Sequence, residues 1–89
     1  LSRREEILRV ASRHGARNVR LFGSIVRGQG VEGSDVDFLV HMDDGASLLD
    51  QIALMRELEV LLGLQVDVVS DEALHRAIRD RVLEEAVEL

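Results

Sequence analysis

Residues Val19 to Val40 read VRLFGSIVRGQGVEGSDVDFLV, and this stretch governs the reading of the rest of the chain. Val19-Arg20-Leu21-Phe22 is short, alternating and rich in strand formers, and it stops at Gly23-Ser24, where a strand would turn into a short helical segment. Gly28, Gly30 and Gly33 then mark a loop, after which Val36-Phe38-Leu39-Val40 forms an apolar run of strand length beginning beside Asp35. Two strands joined through a glycine-rich turn therefore carry Gly23-Ser24 at the end of one and Asp35-Val36-Asp37 at the start of the next.

Working outward, Ser2 and Glu5 make a capping box for a first helix over about residues 3 to 14, with Ile7, Leu8, Val10 and Ala11 at helical spacing. Downstream, Asp43-Asp44-Gly45 is a turn and Ser47 caps a helix carrying Leu48, Leu49, Ile52, Leu54, Met55, Leu58, Leu61 and Leu62, closed by Gly63. That apolar stripe is most simply core. Leu64 to Val69 reads as a third strand around Asp67, and Asp71 is expected to cap a last helix through Leu74, Ile78, Val82 and Leu83. The order predicts an α+β fold: a small sheet flanked by helices, within one domain spanning residues 1–89.

Composition narrows the function. The 89 residues carry 17 acids against 11 bases, a net charge of -6, opposite to what a nonspecific nucleic-acid binder needs. Phe22 and Phe38 are the only aromatics, so a stacking shelf for bases is lacking and no direct nucleic-acid binding is expected. Without cysteine, neither disulfides nor a thiolate zinc site stabilises the chain. No apolar run is long enough to span a bilayer and no secretory h-region follows the first arginines, so the expected setting is the cytoplasm with no membrane partner.

Alternation puts Asp35 and Asp37 on one face of the second strand, so two carboxylates project the same way from neighbouring pleats. If the second and third strands are neighbours, Asp67 joins them, and an acid buried in that strand without partners would carry a high desolvation cost. Such a cluster needs a cation or a proton, and oxygen-only ligands favour Mg²⁺ or Mn²⁺ over zinc. Gly23 lets the backbone approach a ligand closely, and the N–H groups of the turn after Ser24 can hold phosphate oxygens. Arg27, three residues on, would lie on the same side of that short helix and could bind a triphosphate. His14, His41 and His75 are scattered, and His41 reads as a surface or interface residue.

Taken together, Gly23-Ser24, an interval of ten residues, Asp35-Val36-Asp37 and Asp67 as a third acid resemble the nucleotidyltransferase superfamily typified by the β-type DNA polymerases. The chain looks most like the minimal nucleotidyltransferases, the MNT antitoxins encoded beside HEPN-domain toxins. That resemblance rests on Leu21-Phe22-Gly23-Ser24, Arg27-Gly28, Ser34-Asp35-Val36-Asp37, Val66-Asp67-Val68-Val69 and the helix from Ile78 to Ala86, and it covers nearly the whole chain. Ile25-Val26 is bulkier than is common there.

The resemblance implies the minimal polymerase β-like fold, with a small mixed sheet. It implies that Asp35 and Asp37 hold two Mg²⁺ ions, that Asp67 helps hold the catalytic one and assists deprotonation of the attacking hydroxyl, and that Gly23, Ser24, Arg27 and Ser34 bind the nucleotide. It further implies ATP as substrate and, as acceptor, a tyrosine of a cognate HEPN RNase toxin, itself a dimer, which AMP addition silences. An acceptor supplied in trans agrees with a chain that has no second lobe and no Tyr, Thr or Trp. Two other readings stand beside it: an antitoxin that neutralises by occupying the toxin surface, and a nucleotidyltransferase acting on a small molecule.

Overall fold

The structure, a computed structural model, describes residues 3–23 and 36–89. The expected Ser2 cap and the short helical turn after Gly23 therefore lie outside the described residues. Ile7, Val10 and Ala11 form the buried stripe of α1 (Arg3–Arg13), which leads into β1 (Ala16–Phe22). After the undescribed stretch come β2 (Val36–Met42), α2 (Leu48–Leu62) and β3 (Val66–Ser70). A 3-10 turn (Asp71–Ala73), α3 (Arg76–Glu85) and the two-residue strand β4 (Val87–Glu88) complete the chain.

The strands form one mixed sheet in the order β3-β2-β1-β4. β1 runs antiparallel to β2 and to β4, whereas β2 and β3, joined through α2, are parallel. Alternation along β2 sorts its residues: Val36, Phe38 and Val40 enter the core with Ile7, Val10 and Ala11 of α1 and Leu54 and Leu58 of α2. Asp37, Leu39 and His41 alternate with these and so occupy the opposite face, where Leu39 is also fully buried. Phe38, Val40, Leu54 and Leu58 are sealed from solvent, and truncating any of them would cost about 2–5 kcal/mol.

Local chemistry fixes α2. Ser47 Oγ accepts from the Asp50 N–H while Asp50 Oδ2 accepts from the Ser47 N–H at 2.7 Å, a reciprocal cap. At the other end Gly63, with φ of 67°, adopts the left-handed conformation and donates its N–H to Glu59 O at 2.8 Å. Gln51 Nε2 donates to Val68 O at 2.9 Å and the Val66 N–H donates to Glu59 Oε2 at 3.2 Å, so β3 is laced to the helix before it. Arg13 Nη2 meets Glu57 Oε2 at 2.5 Å and ties α1 to the same helix.

Several expectations are corrected. The third strand starts at Val66 rather than Leu64. Asp71 opens the 3-10 turn instead of capping the last helix, and His75 caps α3, its Nδ1 accepting from the Ala77 N–H at 3.1 Å. β4 was not foreseen because two residues carry no alternation; Val87 and Glu88 extend only because β1 offers an edge, with Leu21 and Arg20 as register partners. The stripe of α2 is core only on its inner side: Leu48 and Leu49 are 69% and 76% exposed, and Ile52 is 37% exposed. No helix among the described residues is long and apolar enough to cross a membrane.

Candidate active site

The parallel pairing of β2 with β3 sets Asp37 directly in register with Asp67. Register partners on adjacent strands project to the same face at a spacing of about 4.8 Å, so the two carboxylates stand side by side. They occupy the face turned away from the core of α1 and α2, because Val36, Phe38, Val66 and Val68 on either side point into that core. The condition left open by the sequence, that the second and third strands be neighbours, is met. Asp67 is exposed and Asp37 half-buried, so Asp67 escapes the desolvation cost that burial would have imposed.

Gly23 belongs to the same arrangement. Its φ of 83° is a left-handed conformation that L side chains rarely adopt, and a Cβ built on it would overlap Oδ2 of Asp37. The glycine at the end of β1 therefore lets the chain turn and gives the Asp37 carboxylate its room. Phe22, the residue before it, is the register partner of Asp37, so the aromatic not sealed in the core stands beside the acids; the other, Phe38, is 1% exposed.

Ser24, Arg27, Ser34 and Asp35 lie outside the described residues. The anchor after them is fixed, since the Val36 N–H donates to Gln65 O at 3.0 Å and ties the entry of β2 to the entry of β3. Asp37 and Asp67 offer oxygen donors only, at strand spacing, a donor set that suits a hard divalent cation keeping part of its hydration.

Four residues farther along β2 the same face carries a second polar cluster that the sequence did not reveal. Asp71 Oδ2 accepts from Arg20 Nη2 at 3.1 Å, Asp71 Oδ1 lies 3.1 Å from His41 Nδ1, and His41 Nε2 lies 3.9 Å from Glu72. Arg20 is held in place by donating its Nε–H to Asn18 O at 2.8 Å across the bulge in β1. Burial pushes the Asp71 carboxyl up, but hydrogen bonds from His41 and Arg20, with their charge, outweigh it and hold the group below the ordinary carboxylate value. His41, expected as a surface or interface residue, is 24% exposed and bonded to Asp71. Ligand atoms of His41, Asp71 and Glu72 fall within 4.8 Å of one another, a grouping of metal-binding type, yet the Arg20 guanidinium already supplies positive charge to Asp71. A period-two count from Asp37 to His41 gives the shared face; nothing local in the sequence announces Asp71 as its partner.

Comparison with known proteins agrees with this geometry. Residues 4–89 match the nucleotidyltransferase domain family. A candidate protein adenylyltransferase of Methanocaldococcus jannaschii is 40% identical over 86 residues, covering 97% of this chain and 92% of that protein. Protein adenylyltransferase MntA of Thermococcus cleftensis is 48% identical over 75 residues, covering 84% of this chain and 76% of that protein. Among solved structures, a candidate minimal nucleotidyltransferase superimposes with a TM-score of 0.89 at 48% identity, over 98% of this chain and 89% of that one. The fold is also shared with a complex of the tri-AMPylated Shewanella oneidensis HEPN toxin and its MNT antitoxin, with a TM-score of 0.71 at 18% identity, over 96% of this chain and 66% of the matching one. With the strand pairing that unites Asp37 and Asp67, a match spanning nearly every residue and relatives of this similarity, the chain belongs to the nucleotidyltransferase domain family.

Proposed function

We propose that this protein is the antitoxin of a toxin–antitoxin pair and that residues 1–89 work as one minimal nucleotidyltransferase domain, in the cytoplasm, moving AMP from ATP onto a tyrosine of a cognate HEPN RNase toxin. The observation that carries the proposal is the register pairing of Asp37 with Asp67, with Gly23 fitted against the Asp37 carboxylate. The names of the relatives support protein adenylylation, and the kinship of fold with a toxin–antitoxin complex supports a toxin partner, taken here as a dimer.

In this reading Asp35, Asp37 and Asp67 would hold divalent cations, two Mg²⁺ or alternatively Mn²⁺. Bound there, such ions would neutralise the triphosphate and the oxygens entering and leaving the α-phosphorus. The backbone after Gly23, with Ser24, Arg27 and Ser34, grips the phosphates; Arg27 does so as a charge-assisted donor. The tyrosine oxygen attacks the α-phosphorus in line, the bond from that phosphorus to the bridging oxygen breaks, and pyrophosphate departs. Asp67, the more exposed of the two described acids, faces the side from which an acceptor arrives and assists removal of the phenolic proton. The acceptor comes in trans because the chain itself contains no tyrosine.

The test is the intact mass of the partner toxin after incubation with this protein, ATP and Mg²⁺, beside the Asp35→Asn/Asp37→Asn double variant. Increments of whole AMP units that vanish with the variant are expected. An unchanged mass despite a tight complex and loss of toxicity would replace catalysis with steric neutralisation. Arg27→Ala should raise the ATP concentration needed for half-maximal transfer, and an unaltered ATP dependence would return Arg27 to an ordinary surface role.

A further inference from the structure

The outer side of α2 presents an apolar stripe that is exposed among the described residues. Helical geometry places Leu48, Leu49, Ile52, Ala53, Arg56 and Val60 on the side opposite the buried Leu54 and Leu58. The exposures bear this out: Leu48 69%, Leu49 76%, Ile52 37% and Val60 85%, with Leu64, just past the helix end, at 50%. A helix apolar on both sides is ordinarily buried on both, and a contiguous exposed stripe of this kind marks an association surface. Arg56 is the charge within it. Across the sheet, Asp37 and Asp67 lie on the face turned away from α2, so an acceptor hydroxyl directed at them does not approach through the stripe.

We propose that the stripe is the interface between two copies of this chain, packed with their α2 helices antiparallel about a two-fold axis near Glu57. Charge and shape both favour a second copy over another occupant. An antiparallel arrangement centred there sets Arg56 opposite the partner's Glu59, and by symmetry Glu59 opposite the partner's Arg56, so each apolar stripe brings the counter-charge the other needs. Glu59 gives one oxygen to the Val66 N–H at 3.2 Å, and a carboxylate accepts through both oxygens, so the second pairing does not disturb the first. Leu48 and Leu49 then fall against the partner's Leu64, and Ile52 falls against the partner's Gly63, where a Cβ would meet nothing within 4 Å. For a chain of net charge -6, the reciprocal Arg56–Glu59 pairs also offset part of the repulsion between the two copies. One 15-residue helix spans about 22 Å, which buries less than a permanent dimer needs, so the association is reversible and concentration-dependent.

The experiment is sedimentation equilibrium of the full chain over a wide concentration range, with Leu49→Glu and Val60→Glu as variants at exposed positions and circular dichroism as the folding control. A monomer–dimer equilibrium is expected, with the dissociation constant raised about tenfold or more by either folded variant. Because the chain has no cysteine, mixing Leu49→Cys and Leu64→Cys chains under mild oxidation gives a second readout, with the mixed disulfide dimer as the expected major product. The proposal is overturned by a monomer at every concentration, by a dimer indifferent to both glutamates, or by cross-linking that favours like over unlike chains. A chain that stays monomeric but loses its toxin complex in Leu49→Glu would also overturn it, assigning the stripe to the toxin. None of these readouts depends on catalysis, so the outcome stands apart from that of the AMP-transfer assay.

Discussion

The two ends of the β2–β3 pair use the same face of the same strands for opposite electrostatic designs. At one end Asp37 and Asp67 are register partners, two acids brought alongside one another with Gly23 clearing space for the first. At the other, about 13 Å along the strand, Asp71 is met by Arg20 and His41, each at 3.1 Å. Like charges set opposite each other cost stability unless neighbouring groups or a ligand offset them. An acid matched by a guanidinium and an imidazole has its compensation within the fold. The difference is one of partners in register: one end sets two acids side by side, while the other holds the turn after β3 against β1 and β2.

The largest effect should come from the first end. Asp37→Asn is expected to lower AMP transfer at least about a hundredfold while the circular dichroism spectrum stays that of the folded chain. A folded variant with full transfer would break the contrast outright. Gly23→Ala comes next: strain at a φ of 83° and the overlap with Asp37 should cost about 1–2 kcal/mol in denaturant unfolding, and transfer should fall with it. A neutral result would mean that the close fit of glycine and carboxylate has no energetic weight.

Asp71→Asn tests the brace. Its side chain is 14% exposed and loses charge-assisted bonds to Arg20 and His41, for about 1 kcal/mol at pH 7. Because the native carboxyl titrates below its ordinary value, the stabilisation is complete above the unfolded aspartate pKa of about 3.9 and is lost as pH falls through the lower native value. Unfolding curves of wild type and variant should therefore differ at pH 7 and converge in strong acid; a gap that widened on acidification would reverse the assignment. Glu72→Gln should change least, within about 0.5 kcal/mol, because Glu72 is 68% exposed and 3.9 Å from His41.

How far the sequence could be read follows from where each signal resides. The helices and the three longer strands are local patterns: Ile7, Val10 and Ala11 at helical spacing, Val36, Phe38 and Val40 at spacing two, and Ser47 before an apolar run. Gly23-Ser24 and Asp35-Val36-Asp37 stand out in the sequence because their spacing along the chain is itself the motif. β4 does not, since Val87 and Glu88 are extended only by the edge of β1 beside them. The apolar outer side of α2 reads as core in the sequence because composition does not say how many neighbours a helix has; among the described residues the sheet covers one side and the other is exposed.

By itself, then, the sequence determined the periodicities, the Ser47 and Gly63 caps of α2 and the presence of the acids, all of which depend on residues a few positions apart. The tertiary structure decided which acids meet. Parallel pairing of β2 with β3 made Asp37 and Asp67 partners across 30 positions of sequence and placed Asp71 under Arg20 and His41. Strand register is set by burying Val36, Phe38, Val66 and Val68 together against α1 and α2. A slip of one residue would turn these side chains to the other face, so the packing of the core positions the carboxylates on the opposite side of the sheet.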